Sequence, residues 1–195
     1  MNHLAHFKVS HPDPALIVGG FLGDFVKGRL NGAYPERIER GIRLHRAVDA
    51  FADQHRIIKR SVTRFAPGFR RYGPIMVDVI YDHFLAKRWQ TFNDDALTEF
   101  CDVVFGALEE EAQLLPADAR RMAEHMAASR SLENYGRDVF VNRSLTHIGT
   151  RLKRKNPLHL AFDQFKNHEA ALYEDFTVFF PELLSFCKCW QLEQD

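Results

Sequence analysis

Residues 35–55 read "PERIERGIRLHRAVDAFADQH". Pro35 suits the first position of a helix, where its missing N–H would have no partner anyway. Ile38, Ile42, Val48 and Phe51 follow at positions that a helix gathers on one side, leaving room for a polar stripe. His45, Asp49 and Asp53 stand at i, i+4 and i+8 and drift only about 80° around the axis, so they form that stripe. The spacing predicts a long helix that carries an imidazole and two carboxylates along one line.

The neighbouring stretches read the same way. Asp13-Pro14 looks like an N-cap followed by proline at the first helical position, opening "PALIVGGFLGDFVKG" over 14–28. "YGPIMVDVIYDHFLAKRWQTF" over 72–92 makes a third helix. Further helices are expected near 94–113, 117–129, 137–150 and 158–180, with a last one after Pro181. Strand signals are nearly absent: there is no sustained alternation, and Asn31-Gly32 falls between helical patterns. The expected fold is an all-α single domain spanning 1–195, a helical bundle.

A chain of 195 residues suffices for one substantial core. Apolar residues make up 46% and charged residues 27%, ordinary for a globular protein, and the formal net charge of zero points to no class of partner. Cys101, Cys187 and Cys189 are an odd number without a secreted spacing pattern, which fits reduced thiols in a cytoplasmic protein. No signal-peptide pattern and no run of 18 apolar residues occur, so no membrane span is expected.

Charge is distributed unevenly. Between positions 54 and 77 lie Arg56, Lys59, Arg60, Arg64, Arg70 and Arg71 and no acid, whereas positions 89–119 hold eight acids and no Lys or Arg. Arg56, Lys59, Arg60 and Arg64 recur every three or four residues and make a basic helix face, and a second basic stretch holds Arg151, Lys153, Arg154 and Lys155. Solvated helix faces account for such runs, and so does a surface that steers an anionic partner. Aromatic interleaving of the kind that binds single-stranded nucleic acid is missing.

Three clusters of acids and histidines interrupt apolar helices. They are His6 with Asp24, the His45/Asp49/Asp53 stripe, and Asp78, Asp82 and His83 in "DVIYDHFLAK". An unpaired buried carboxylate costs several kcal/mol, so such groups pair with cations or bind a metal. Arg43, Arg46 and Arg88 offer salt bridges for single clusters. Three clusters on early helices fit convergence at a bundle centre, where helical proteins build metal sites. Oxygen ligands with one or two imidazoles and no thiolate suit Mn²⁺, Mg²⁺ or Fe²⁺, with zinc also open. A metal acidifies bound water and neutralises phosphoryl oxygens, so this ligand chemistry points to phosphoester or phosphodiester hydrolysis.

In this order, "NHLAH", "GDFVKG", "GIRLHRAVDAFAD" and "DVIYDHFLA" resemble the acyl carrier protein phosphodiesterase family. The resemblance is dense from Met1 to about Trp89 and looser beyond. It implies an all-helical fold distantly similar to HD-type phosphohydrolases, and Mn²⁺-supported removal of 4'-phosphopantetheine from the serine of holo-acyl carrier protein. It also implies a site of Asp24, His45, Asp49, Asp82 and His83. Within that set Asp24, His45, Asp49 and Asp82 would hold metal, and His83 or His6 would protonate the leaving oxygen. Asp53 and Asp78 are further candidates. Arg56, Lys59, Arg60 and Arg64 would hold the acidic carrier. Gly20 stands where the family often has Asn, and His3 where Phe or Tyr is common. Two alternatives stay open: an HD-like hydrolase of a nucleotide or small phosphoester, and a non-catalytic metal- or carrier-binding bundle.

Overall fold

The computed structural model describes residues 2–193, which form helices and connecting turns with no strand among them. The α-helices are α1 (His3–Ser10), α2 (Pro14–Leu22), α3 (Glu36–Gln54), α4 (Arg56–Arg64), α5 (Pro67–Arg70), α6 (Gly73–Lys87), α7 (Leu97–Glu110), α8 (Ala117–Ser129), α9 (Asp138–Arg151) and α10 (Ala161–Leu192). Short 3₁₀ turns at Trp89–Thr91, Ala112–Leu114, Ser131–Gly136 and Leu158–Leu160 complete the path. No described helix is long and apolar enough to cross a membrane. The all-α expectation matches the structure.

α6 is the central element. Met76, Val77, Val79, Ile80, Tyr81, Phe84 and Leu85 are all buried, as are Asp82 and His83, so its apolar surface runs nearly all the way round. It packs against α1, α4, α9, α10 and the Ser131–Gly136 turn. Much of the facing surface is phenylalanine from α10, where Phe165, Phe176, Phe179 and Phe180 are fully buried. Removing each such ring from water contributes roughly 1.5–3 kcal/mol.

α2 and α3 approach unusually closely. A Cβ on Gly19 would lie 2.2 Å from the Ile38 carbonyl oxygen, and one on Gly41 2.8 Å from the Gly19 Cα. Only hydrogen fits on either side of this crossing, so the two glycines set the spacing of the helices. The expected Asp13 cap is present, its Oδ1 accepting from the amides of Ala15 and Leu16 at 2.8 and 3.2 Å.

Two local expectations differ from the structure, and one helix was not anticipated. The helix expected over 14–28 ends at Leu22, and Gly23 and Asp24 lie in a turn. α1 precedes it, though "HLAHFKVS" shows no apolar periodicity: Leu4, Ala5, His6, Phe7, Val9 and Ser10 are all buried, which leaves no polar face to mark a period. Pro181 does not begin a new helix but lies inside α10. Proline removes one hydrogen bond, to the carbonyl one turn earlier, at Thr177. Thr177 and Pro181 are both exposed, so water can satisfy that carbonyl, while Phe179, Phe180 and Leu183 keep the helix seated.

Candidate metal centre and adjoining cleft

Two helices and one turn bring the candidate residues together. α1 supplies His6, α3 supplies His45 and Asp49 one turn apart, and the turn after α2 supplies Asp24. The His6 and His45 rings stack with centroids 3.9 Å apart. Their Nε2 atoms each stand 3.2 Å from a different oxygen of Asp49, His6 from Oδ1 and His45 from Oδ2. Asp24 Oδ1 lies 3.9 Å from His45 Nε2. On the other side, Asp24 Oδ2 is 3.5 Å from His3 Nδ1. The imidazoles of His6 and His45 are buried, at 3% and 4% exposure, while the carboxylates of Asp24 and Asp49 are nearly half exposed. The cluster thus has an imidazole floor and a carboxylate mouth.

The protonation states decide what this cluster can hold. His45 Nδ1 is 2.7 Å from the Gly20 carbonyl oxygen, and a carbonyl only accepts, so Nδ1 carries the hydrogen. His45 Nε2 therefore faces the Asp49 carboxylate, where either a proton or a metal cation can sit between them. Burial lowers the His6 imidazole to about 4, so it is neutral at pH 7, and neither of its nitrogens has a hydrogen-bond partner among the described residues. Burial pushes the Asp49 carboxyl up, but the two imidazoles outweigh it and hold Asp49 well below the usual carboxylate range. The donor atoms of His6, His45 and Asp49 all lie within 4.8 Å of one another. Adjacent ligands of a cation with bonds of about 2.1 Å sit roughly 3 Å apart, which the two 3.2 Å separations approach. The residues present therefore fit a divalent metal with two imidazoles and one carboxylate, with Asp24 beside it.

Gly23 is the bed on which His45 lies. A Cβ there would fall 2.2 Å from the imidazole Cγ. Gly20 contributes its carbonyl, and a side chain on it would point at the Ser10 hydroxyl, 2.9 Å away.

Asp82 and His83 are placed elsewhere. Asp82 is fully buried and accepts from the amides of Leu4 at 2.7 Å and Ala5 at 3.2 Å, capping the N-terminus of α1. Burial pushes its carboxyl up to about 7, against the pull of those two amides. Its contribution is to hold the helix that carries His3 and His6, and it is not one of the converging donors. His83 Nδ1 donates to the Tyr135 carbonyl at 3.0 Å, and its Nε2 lies 3.6 Å from Asp138. It faces the Ser131–Gly136 turn and α9, so it differs from the expectation of a proton donor in the site.

Asp78, one turn before Asp82, lines a cleft of about 390 Å³ together with His3, Asp24 and Arg151. Its carboxyl is raised, chiefly by burial and further by the charges of Asp49 and Asp53. Asp53 itself is exposed. His3 and Arg151 are thus cleft residues outside the expected set, although both stood in stretches already conspicuous for charge or polarity.

The basic face of α4 also differs from expectation. Arg60 and Arg64 turn inward onto the fully buried Asp175 of α10, with Arg60 Nη2 at 2.6 Å and Arg64 Nε at 2.7 Å. Ser61 adds a 2.7 Å bond to the same carboxylate and contacts the Tyr81 hydroxyl at 2.8 Å. Arg56 lies 3.7 Å from Glu182, and Lys59 is exposed. Two of the four expected carrier-binding cations are therefore structural.

Residues 1–183 match the family described as acyl carrier protein phosphodiesterase. Relatives bearing that name include one from Enterobacter sp. (strain 638), 33% identical over 98% of this chain and all of its own length. Another, from Klebsiella pneumoniae (strain 342), is 31% identical over the same shares, and one from Pectobacterium atrosepticum is 30% identical. No solved structure matches this chain. With the family matching almost from end to end, this chain belongs to the acyl carrier protein phosphodiesterase family.

Proposed function

We propose that this protein is a metal-dependent phosphodiesterase. It hydrolyses the phosphodiester between 4'-phosphopantetheine and the serine of holo-acyl carrier protein, giving apo-carrier and free 4'-phosphopantetheine. The observation that carries this reading is the convergence of His6, His45 and Asp49, with Asp24 at their open edge, in a member of this family. Two imidazoles with carboxylates favour Mn²⁺ or Fe²⁺ over Mg²⁺. When bound, the metal supplies a Lewis acid for the phosphoryl oxygens and lowers the pKa of water.

The chain's own groups do the rest. Gly20 holds the His45 ring in one tautomer, and Asp82 holds the helix that presents His6. Asp24, half exposed at the mouth, accepts the proton of the attacking water. Asp24 passes that proton to the neighbouring His3, which lines the cleft and delivers it to the serine oxygen as the P–O bond breaks. Incubating holo-carrier with the protein and Mn²⁺ should reduce the carrier's mass by that of the phosphopantetheine group. An intact carrier under every divalent metal tried would sink this reading. A parallel panel of nucleotides and small phosphoesters identifies the substrate if the carrier is left untouched.

A further inference from the structure

The cleft beside the metal centre continues into a second and larger one. The two meet at His3, Met122 and Arg151. The second, about 570 Å³, runs between α8, the Ser131–Gly136 turn and α9, and its size is that of a ligand-binding cleft. Arg137, Arg143 and Arg151 line it, along with His125 and His147, and no carboxylate does. Its apolar lining comes from Met122, Met126 and Phe140. Arg137 contacts only the Asn134 side-chain oxygen, at 3.2 Å, and among the described residues neither Arg143 nor Arg151 has an ion-pair partner. Past Arg151 in sequence, Lys153, Arg154 and Lys155 line a separate hollow.

We infer that this α8–α9 cleft is the docking site for the acidic surface of the carrier protein. The inference rests on the proposed activity for the partner's identity. Three uncompensated arginines beside an apolar floor complement an acidic, amphipathic helix, since clustered positive charge steers an anionic protein and the floor gives it surface to bury. A partner seated there has its serine-borne phosphodiester delivered where Arg151 meets His3 and Asp24. Arg151 is then the guanidinium that reads the phosphoryl oxygens. The α4 face has less of this capacity, because Asp175 engages both Arg60 and Arg64 and Arg56 lies 3.7 Å from Glu182.

Charge reversal on the two surfaces tests the assignment. Turnover of holo-carrier and of bis(4-nitrophenyl) phosphate is measured with Mn²⁺, and apo-carrier affinity by calorimetry. The double variant Arg137→Glu/Arg143→Glu should weaken carrier binding at least tenfold and lower the ratio of carrier to small-diester turnover by a similar factor. Arg56→Glu/Lys59→Glu on α4 should leave carrier binding as it was. Carrier affinity unchanged by the α9 pair, in a native protein that does turn over holo-carrier, overturns the docking cleft alone. So does a tenfold loss produced by the α4 pair instead. A native protein that cleaves the small diester and leaves holo-carrier intact overturns the proposed substrate, and the docking site with it. Circular dichroism and the melting temperature of each double variant identify any loss caused by unfolding. In that case the single variants Arg137→Gln and Arg143→Gln carry the same comparison.

Discussion

Asp49 and Asp175 are both carboxylates set into helices among basic side chains, and they differ in what is left over. Asp175 is fully buried and saturated by two guanidinium groups and a serine hydroxyl. Burial pushes its carboxyl up, yet those partners hold it below the ordinary range. Asp49 is nearly half exposed and faces two imidazole nitrogens, each 3.2 Å away, at an open mouth. A polar cluster that satisfies itself holds the fold together. One whose donor atoms converge around an open mouth can hold a cation as well. A saturated buried pair is costly to break.

This contrast yields a double dissociation, and its largest arm is catalytic. Asp49→Ala or His45→Ala should lower turnover by at least about a thousandfold, roughly 4 kcal/mol of barrier. Calorimetry should show metal binding abolished, while the metal-free melting temperature of Asp49→Ala falls less than that of Asp175→Ala. A lower melting temperature with intact metal affinity would place Asp49 in the same class as Asp175 and erase the contrast. The opposite arm is Asp175→Ala, expected to cost about 3–5 kcal/mol in urea unfolding because it strands two guanidiniums and a hydroxyl. Metal affinity of the folded fraction should be unchanged.

Two further changes probe the supports of the open cluster. Gly23→Ala pushes a methyl group into the His45 ring. Disturbing a ligand's orientation typically costs 10–100-fold in metal affinity, and that is the range expected in a competition titration. Overpacking adds about 1–3 kcal/mol of destabilisation. The smallest effect concerns Asp82, whose carboxyl is raised by burial to about 7. A group with a raised pKa binds its proton more tightly in the folded state. Its stabilising share is therefore complete below the unfolded value near 4 and is lost as pH rises through about 7. Native, metal-free protein should lose melting temperature between pH 5 and 8, and Asp82→Asn should flatten that decline. Because one amide of α1 then loses its acceptor, the variant should start lower at pH 5. A steeper decline in the variant would contradict the burial of an ionisable group there.

The sequence revealed the open cluster better than the closed one, for a physical reason. His45 and Asp49 are one turn apart on a single long helix, so periodicity alone places them together. The partner of Arg64 lies 111 residues away in α10, and the acid-free stretch around it therefore looked like exposed charge. Periodicity also gives an angle about a helix axis without saying what stands opposite. Asp78 and Asp82 share a face of α6, yet Asp78 lines the cleft and Asp82 meets the start of α1. α1 itself left no pattern because it is buried on nearly every side, and Pro181 looked like a boundary because the water available to Thr177 cannot be read from one chain. Arg151 was visible as charge, but its place beside His3 depends on how α9 packs.

The Gly19–Gly41 crossing has a mechanical consequence. His45 rides on α3, while the carbonyl that fixes its ring and the glycine beneath it belong to α2 and the turn that follows. The coordination geometry is therefore gauged against the gap between two helices, with hydrogen atoms as the only spacers. A widening of a few tenths of an ångström, by heat, pressure or a methyl group at either glycine, would be felt first as slackness in the imidazole. Well before any helix melts, an ion held at the proposed site would register the strain through its retention, gauging how tightly this part of the bundle is clamped.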